Sequence, residues 1–136
     1  LNAELNKEEI TYAVEVLDAN FDGKIDIIEG NNKEQNLLLL NSDSGFSEVP
    51  VFNIGKTYAL LAADLNNDGI KEVVVGNYDQ KIEIYEKSGD GYSLIQEIST
   101  PFKNYVRDMA IGDFNNDGMV DLVIGREETM SQVYLG

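Results

Sequence analysis

The stretch Met109-Ala110-Ile111-Gly112-Asp113-Phe114-Asn115-Asn116-Asp117-Gly118-Met119-Val120-Asp121-Leu122-Val123-Ile124-Gly125 reads as an apolar segment, an acidic turn and a second apolar segment. Working outward, the same pattern occurs twice more without gaps. Asp18-Ala19-Asn20-Phe21-Asp22-Gly23-Lys24-Ile25-Asp26 and Asp64-Leu65-Asn66-Asn67-Asp68-Gly69-Ile70-Lys71-Glu72 align with Asp113–Asp121 at offsets of 46 and 49 residues. Twelve residues after each first Asp stands a glycine: Gly30, Gly76 and Gly125. Tyr12 and Tyr58 each lie six residues before their first Asp. Self-similarity at this period is the mark of a repeat architecture.

The apolar runs are short and rich in Val, Ile, Leu and Tyr. Lys81-Ile82-Glu83-Ile84-Tyr85 alternates with period two, which favours strands. Downstream of each loop come Leu37–Leu40, Ile82–Tyr85 and Val133–Leu135, and turn signals follow the first two at Ser44-Gly45-Phe46 and Asp90-Gly91-Tyr92. Each repeat therefore reads as strand, acidic loop, strand, turn, strand, turn, strand. Four short strands per ~40–50 residues is the rhythm of a propeller blade. The expectation is an all-β chain of about three four-stranded antiparallel repeats, forming one partial β-propeller domain across residues 1–136. The repeats fall at about 12–57, 58–106 and 107–136, the last incomplete. Ala3–Glu9 is the one helical candidate, and Ile10–Leu17 fits a first strand.

Composition narrows the chemistry. The 136 residues contain 25 acids and 10 bases, a net charge of −15, which excludes nucleic acid as a partner because phosphate binding needs a basic face. No apolar run approaches the ~18 residues of a membrane span, so membrane insertion is not expected. There is no Cys and no His, so disulfides, thiolate sites and Ser-His or Cys-His catalytic pairs are excluded. Any metal must be held by oxygen, which points to calcium or magnesium.

The acidic loops suit that chemistry. Calcium takes six to eight oxygens with no strict geometry. Positions one, three and five supply Asp18, Asn20 and Asp22; Asp64, Asn66 and Asp68; and Asp113, Asn115 and Asp117. Glycine at position six allows the sharp turn. Position seven offers a backbone carbonyl, from Lys24, Ile70 and Met119, and position nine adds Asp26, Glu72 and Asp121. Nine of the 25 acids sit in these loops, so three Ca²⁺ would bring the charge from −15 to −9. A single Asp-Gly turn is an ordinary turn former; three in register, each with the ninth-position acid, argue for more. The first loop also fits an EF-hand, with Glu29 at the twelfth position, but Val75 and Ile124 stand there in the other two.

These residues resemble the FG-GAP/VCBS repeat family, the calcium-binding blades of integrin α-subunit-type propellers, over about Tyr12 to Leu135. The resemblance implies one Ca²⁺ per loop, about three per chain, on the side chains of positions one, three, five and nine. Glu72 departs from the usual Asp. The family usually has seven blades, so the expectation is a fragment of a longer ring, with self-association or completion by a partner as alternatives. The chain begins at Leu1 with no signal-like apolar stretch and reads as a mature or excised segment.

The leading functional expectation is a non-catalytic binding, adhesion or scaffold module, extracellular or at the cell surface, with a protein or carbohydrate ligand. Millimolar external calcium suits the weak sites of extracellular modules. Tyr78, Tyr92 and Tyr105 are candidates for stacking on sugars, against ordinary blade packing. The alternative is the accessory propeller of a secreted polysaccharide-active or lipid-active enzyme, with a carboxylate pair, or Arg107 with Asp108, as candidate catalysts. Nearly every clustered carboxylate already belongs to a loop, and Arg107 and Arg126 fall in no recognised motif. An intracellular scaffold is the third reading, disfavoured because submicromolar calcium would leave weak sites empty.

Overall fold

The computed structural model describes residues 10–78, 81–99, 105–127 and 129–136. The helical expectation at Ala3–Glu9 lies outside them. All regular structure among the described residues is β, in three antiparallel sheets. The first sheet has the order β1 (Thr11–Leu17), β2 (Asp26–Asn31), β3 (Asn36–Ser42), β4 (Gly45–Val51). The second repeats it with β5 (Thr57–Ala63), β6 (Glu72–Asn77), β7 (Lys81–Ser88) and β8 (Gly91–Ser99). The third has β9 (Val106–Gly112), β10 (Asp121–Arg126) and β11 (Gln132–Tyr134). Each acidic loop joins the first two strands of its sheet. These are propeller blades in meander order, as the strand periodicity implies.

The blades stack face to face, and that explains their hydrophobic pattern. One apolar cluster joins Leu17, Ile28, Leu38 and Val51 of the first blade to Val73, Val75 and Tyr85 of the second. The other joins Ala59, Val74, Ile82 and Ile84 of the second blade to Val106, Met109, Leu122 and Ile124 of the third. A middle blade is covered on both faces, so β6 is buried throughout and its Val73-Val74-Val75 run needs no polar alternation. Leu60 and Ala62 on β5 pack toward the first blade. Their counterparts on β1, Val14 and Val16, are 60% and 51% exposed.

The recurrent glycine sits at the seam between blades. A Cβ built on Gly30 would lie 2.6 Å from Cγ2 of Thr57, and one on Gly76 would lie 2.6 Å from Cγ1 of Val106. Thr57 and Val106 are the first residues of the next blade's inner strand. Glycine is required here for close approach, not for a special turn.

A buried polar network pins the first seam at the end opposite the acidic loops. Asn36 Nδ2 donates to Thr57 Oγ1 at 3.0 Å, and Thr57 Oγ1 donates to Asn77 Oδ1 at 3.2 Å. The buried Glu83 carboxylate accepts from Asn53 Nδ2 at 2.9 Å, Asn77 Nδ2 at 3.0 Å and the Tyr85 hydroxyl at 3.1 Å. Satisfied networks of this kind specify register, because any slip orphans several buried groups.

Candidate metal loops and the interblade rim

The three loops have nearly the same backbone. Position four is left-handed in each, with φ 61° at Phe21 and 59° at Asn67 and Asn116. Position six follows with φ 86° at Gly23, 89° at Gly69 and 87° at Gly118. Asn tolerates the left-handed region; a bulky side chain costs roughly 1–2 kcal/mol there. Phe21 is thus strained where its two counterparts are not.

Side-chain oxygens then converge on the loop amides. The carboxylate at position one accepts from the N–H groups of positions five and six: Asp18 from Asp22 at 3.1 Å and Gly23 at 2.8 Å. Asp64 does so at 3.0 and 2.9 Å, and Asp113 at 3.1 and 2.9 Å. The position-three amide oxygens of Asn20, Asn66 and Asn115 accept from the position-five N–H at 3.1, 2.9 and 3.0 Å. The position-five carboxylates of Asp22, Asp68 and Asp117 accept from position seven at 2.8, 2.7 and 2.8 Å. The Lys24 N–H, then the Asn20 amide, then the Lys24 charge hold the Asp22 carboxyl below its ordinary pKa. The position-seven side chains do not take part: Lys24 Nζ pairs with Asp43 at 2.8 Å, and Ile70 and Met119 are exposed.

Position nine is different in kind. Asp26 and Asp121 are 0% exposed and Glu72 is 3% exposed. Each accepts the position-two N–H, from Ala19 at 2.8 Å, Leu65 at 2.8 Å and Phe114 at 2.7 Å. The second oxygen of Asp26 takes the Asn41 N–H at 2.8 Å, and that of Asp121 takes the Gly136 N–H at 2.9 Å. The longer Glu72 turns its second oxygen to Asn66 Nδ2 at 3.0 Å instead. These acids close the loop onto the sheet, a structural duty the spacing alone does not reveal.

The donor set fits a hard cation. Each loop offers two carboxylates and an amide oxygen at positions one, three and five, all oxygen; Asp18 and Asp64 are half-buried and the rest exposed. Among the described residues no group of three or more acidic side chains gathers as a ready metal cage. Each loop's carboxylates stand at positions one, five and nine, with an Asn amide at position three. The EF-hand alternative falls, because the first loop joins two strands and Glu29 lies within β2, paired with Val14 and Leu37.

Tyr12, Tyr58 and Arg107 share one structural position. Each is the extra residue of a bulge in its blade's first strand. Tyr12 stacks on Tyr58 at 4.7 Å, and the Arg107 guanidinium lies 5.3 Å from the Tyr58 ring. Tyr105 stacks on Tyr58 at 5.5 Å and on Tyr78 at 4.1 Å. Two of the tyrosines considered for sugar stacking therefore already stack on one another, and Tyr92 packs against Phe52 at 5.6 Å. Arg107 also forms an ion pair with Glu127 at 2.6 Å. Sequence reading missed its register; the signal was its place six residues before Asp113, matching Tyr12 and Tyr58.

The comparisons agree with this architecture. A family model described as an FG-GAP-like repeat matches residues 18–75 and 64–124. No curated protein matches the chain significantly.

Proposed function

The chain belongs to the FG-GAP-like repeat family, and from that premise we propose that it is a calcium-binding β-propeller module with a non-catalytic binding, adhesion or scaffold role outside the cell. The observation that carries this reading is the threefold repetition of one loop geometry. Three loops place Asp, Asn and Asp oxygens at positions one, three and five over the same pair of left-handed residues. An ordinary turn needs no such agreement among exposed side chains. Asp18, Asn20 and Asp22 would hold the first ion, Asp64, Asn66 and Asp68 the second, and Asp113, Asn115 and Asp117 the third. Asp26, Glu72 and Asp121 would add the ninth-position carboxylates while bracing the loops through the position-two N–H, and Lys24, Ile70 and Met119 would offer their backbone carbonyls. Bound calcium supplies charge neutralisation and rigidity, and no reaction.

The exposed face of Val14 and Val16 supports a further proposal within this reading: another blade of the same kind covers it, as the first blade covers Leu60 and Ala62 of β5.

Calorimetric titration of metal-free protein with Ca²⁺, against a Mg²⁺ control, tests the assignment. About three calcium per chain with a weak magnesium response is expected, in the ~10⁻⁴–10⁻³ M range of extracellular modules. A folded chain that takes up no calcium would reduce the loops to turns and end the proposal.

A further inference from the structure

A cleft of about 320 Å³ opens on the loop-bearing rim, between the first and second acidic loops and the β7–β8 hairpin. Phe21 and Ile25 of the first loop, Ile70 and Lys71 of the second, and Lys87 and Tyr92 of the hairpin line it. Three features set it apart from a chance surface recess.

The first is Phe21. It is 61% exposed at a left-handed position where the other two loops carry Asn, so the chain keeps a large aromatic in solvent against its backbone preference. Strain retained at an exposed aromatic points to use. The second is charge. In a chain with 25 acids and 10 bases, two lysines line this cleft against one acid, the first-loop Asp18. Among the described residues neither Lys71 nor Lys87 makes an ion pair. Lys87 Nζ instead stands 5.3 Å from the Tyr92 ring centre. The third is the pairing of these features, with exposed Phe21, Ile25 and Ile70 beside the lysines.

We propose that this cleft binds a short acidic–apolar segment of a protein partner. Its apolar side chain sits between Phe21, Ile70 and Tyr92, and its neighbouring carboxylate faces Lys71 and Lys87. The lining decides between ligand classes. A sugar needs several hydrogen-bonding groups around its ring, and this wall is mainly apolar, with Asp18, Lys71 and Lys87 its charged side chains. The volume suits one large side chain and its neighbour, at the low end of small binding sites. The proposal names the ligand chemistry of the binding role given above and rests on that role. The walls are protein side chains, so it can fail separately from the calcium assignment.

The test is amide NMR titration of the whole chain, with calcium and after chelation. The probe is the peptide acetyl-Asp-Phe-Glu-amide; acetyl-Asn-Phe-Gln-amide and galacturonic acid are the comparisons. The acidic peptide is expected to shift the Phe21, Ile70, Lys71 and Tyr92 resonances and to bind about tenfold more tightly than its neutral twin. Phe21→Asn restores the residue found at this position in the other loops, so it should fold and keep its calcium stoichiometry while binding the peptide about tenfold more weakly. The double variant Lys71→Glu/Lys87→Glu should remove the preference for the acidic peptide. Equal binding of both peptides, shifts elsewhere, no shifts, or unaltered binding in both variants would overturn the proposal. Galacturonic acid shifting these resonances in place of the peptide would overturn the ligand class. Calcium uptake without peptide binding sinks the cleft alone; peptide binding without calcium uptake sinks the calcium assignment alone.

Discussion

Replacing Gly76 by Ala should destabilise the protein although a single methyl is added. The new Cβ would stand 2.6 Å from Cγ1 and 2.9 Å from Cβ of Val106, a fully buried residue of the next blade. Comfortable carbon contacts begin near 3.5 Å, so the blades must part by several tenths of an ångström or Val106 must leave its place. Overpacking of this kind costs about 1–3 kcal/mol, set against a gain of about 0.4–1 kcal/mol from the stiffer unfolded chain. A net loss of about 1–2 kcal/mol is expected, or roughly 3–8 °C in Tm for a chain of this size. Gly125→Ala is the control. Its nearest neighbour is the Asp108 carbonyl oxygen at 3.4 Å, so its effect should stay within about 0.5 kcal/mol. Urea denaturation of Gly76→Ala, Val106→Ala and the double variant closes the cycle. Val106→Ala alone should cost about 2 kcal/mol. The double variant should be about 1 kcal/mol more stable than the sum, because the Cγ clash is gone while the 2.9 Å Cβ contact remains. Additive losses, or equal losses at Gly76 and Gly125, would refute the seam argument.

The loops yield a second contrast. Asp26→Ala should cost about 2–4 kcal/mol with or without calcium, because it orphans the Ala19 and Asn41 amides. Asp18→Ala should cost far less in metal-free protein yet remove about one calcium from the stoichiometry, read by denaturation and calorimetry on the same samples. Glu83→Gln puts an amide NH2 in place of one carboxylate oxygen, facing either the Asn53 donor or those of Asn77 and Tyr85, and should cost about 2–3 kcal/mol by chemical denaturation. At high pH, burial above all pushes the Tyr85 and Tyr92 phenols up to about 12 from an ordinary 10. Between those values the unfolded chain binds fewer protons, so stability is full below pH 10 and falls as pH rises toward 12. Phenolate absorbance followed beside circular dichroism checks this; a late ionisation step that includes Tyr85 and Tyr92 and coincides with loss of structure is the expected result.

How much was legible depended on whether the signal was local. The strands and the meander order were readable from Val73–Val75, Ile82–Tyr85 and the Asp-Gly turns, because period and turn chemistry are properties of adjacent residues. The loops at Asp18, Asp64 and Asp113 were readable for the same reason, their donors lying within nine residues of one another. The division of labour inside them was not. Spacing places Asp26 beside Asp22 in kind, but only the fold brings the Asn41 N–H to it and buries it.

The sequence by itself thus determined the repeat, the all-β class and the all-oxygen chemistry, since each follows from residue identity and short-range order. Tertiary structure alone decided what Gly30 and Gly76 are for, since the side chains that fill their space belong to another blade. It alone placed Arg107 in register with Tyr12 and Tyr58 through a shared bulge. It also brought Phe21 of one blade and Lys71, Lys87 and Tyr92 of the next around a single cleft. Those residues are far apart along the chain, and only the stacking of apolar sheet faces draws them together.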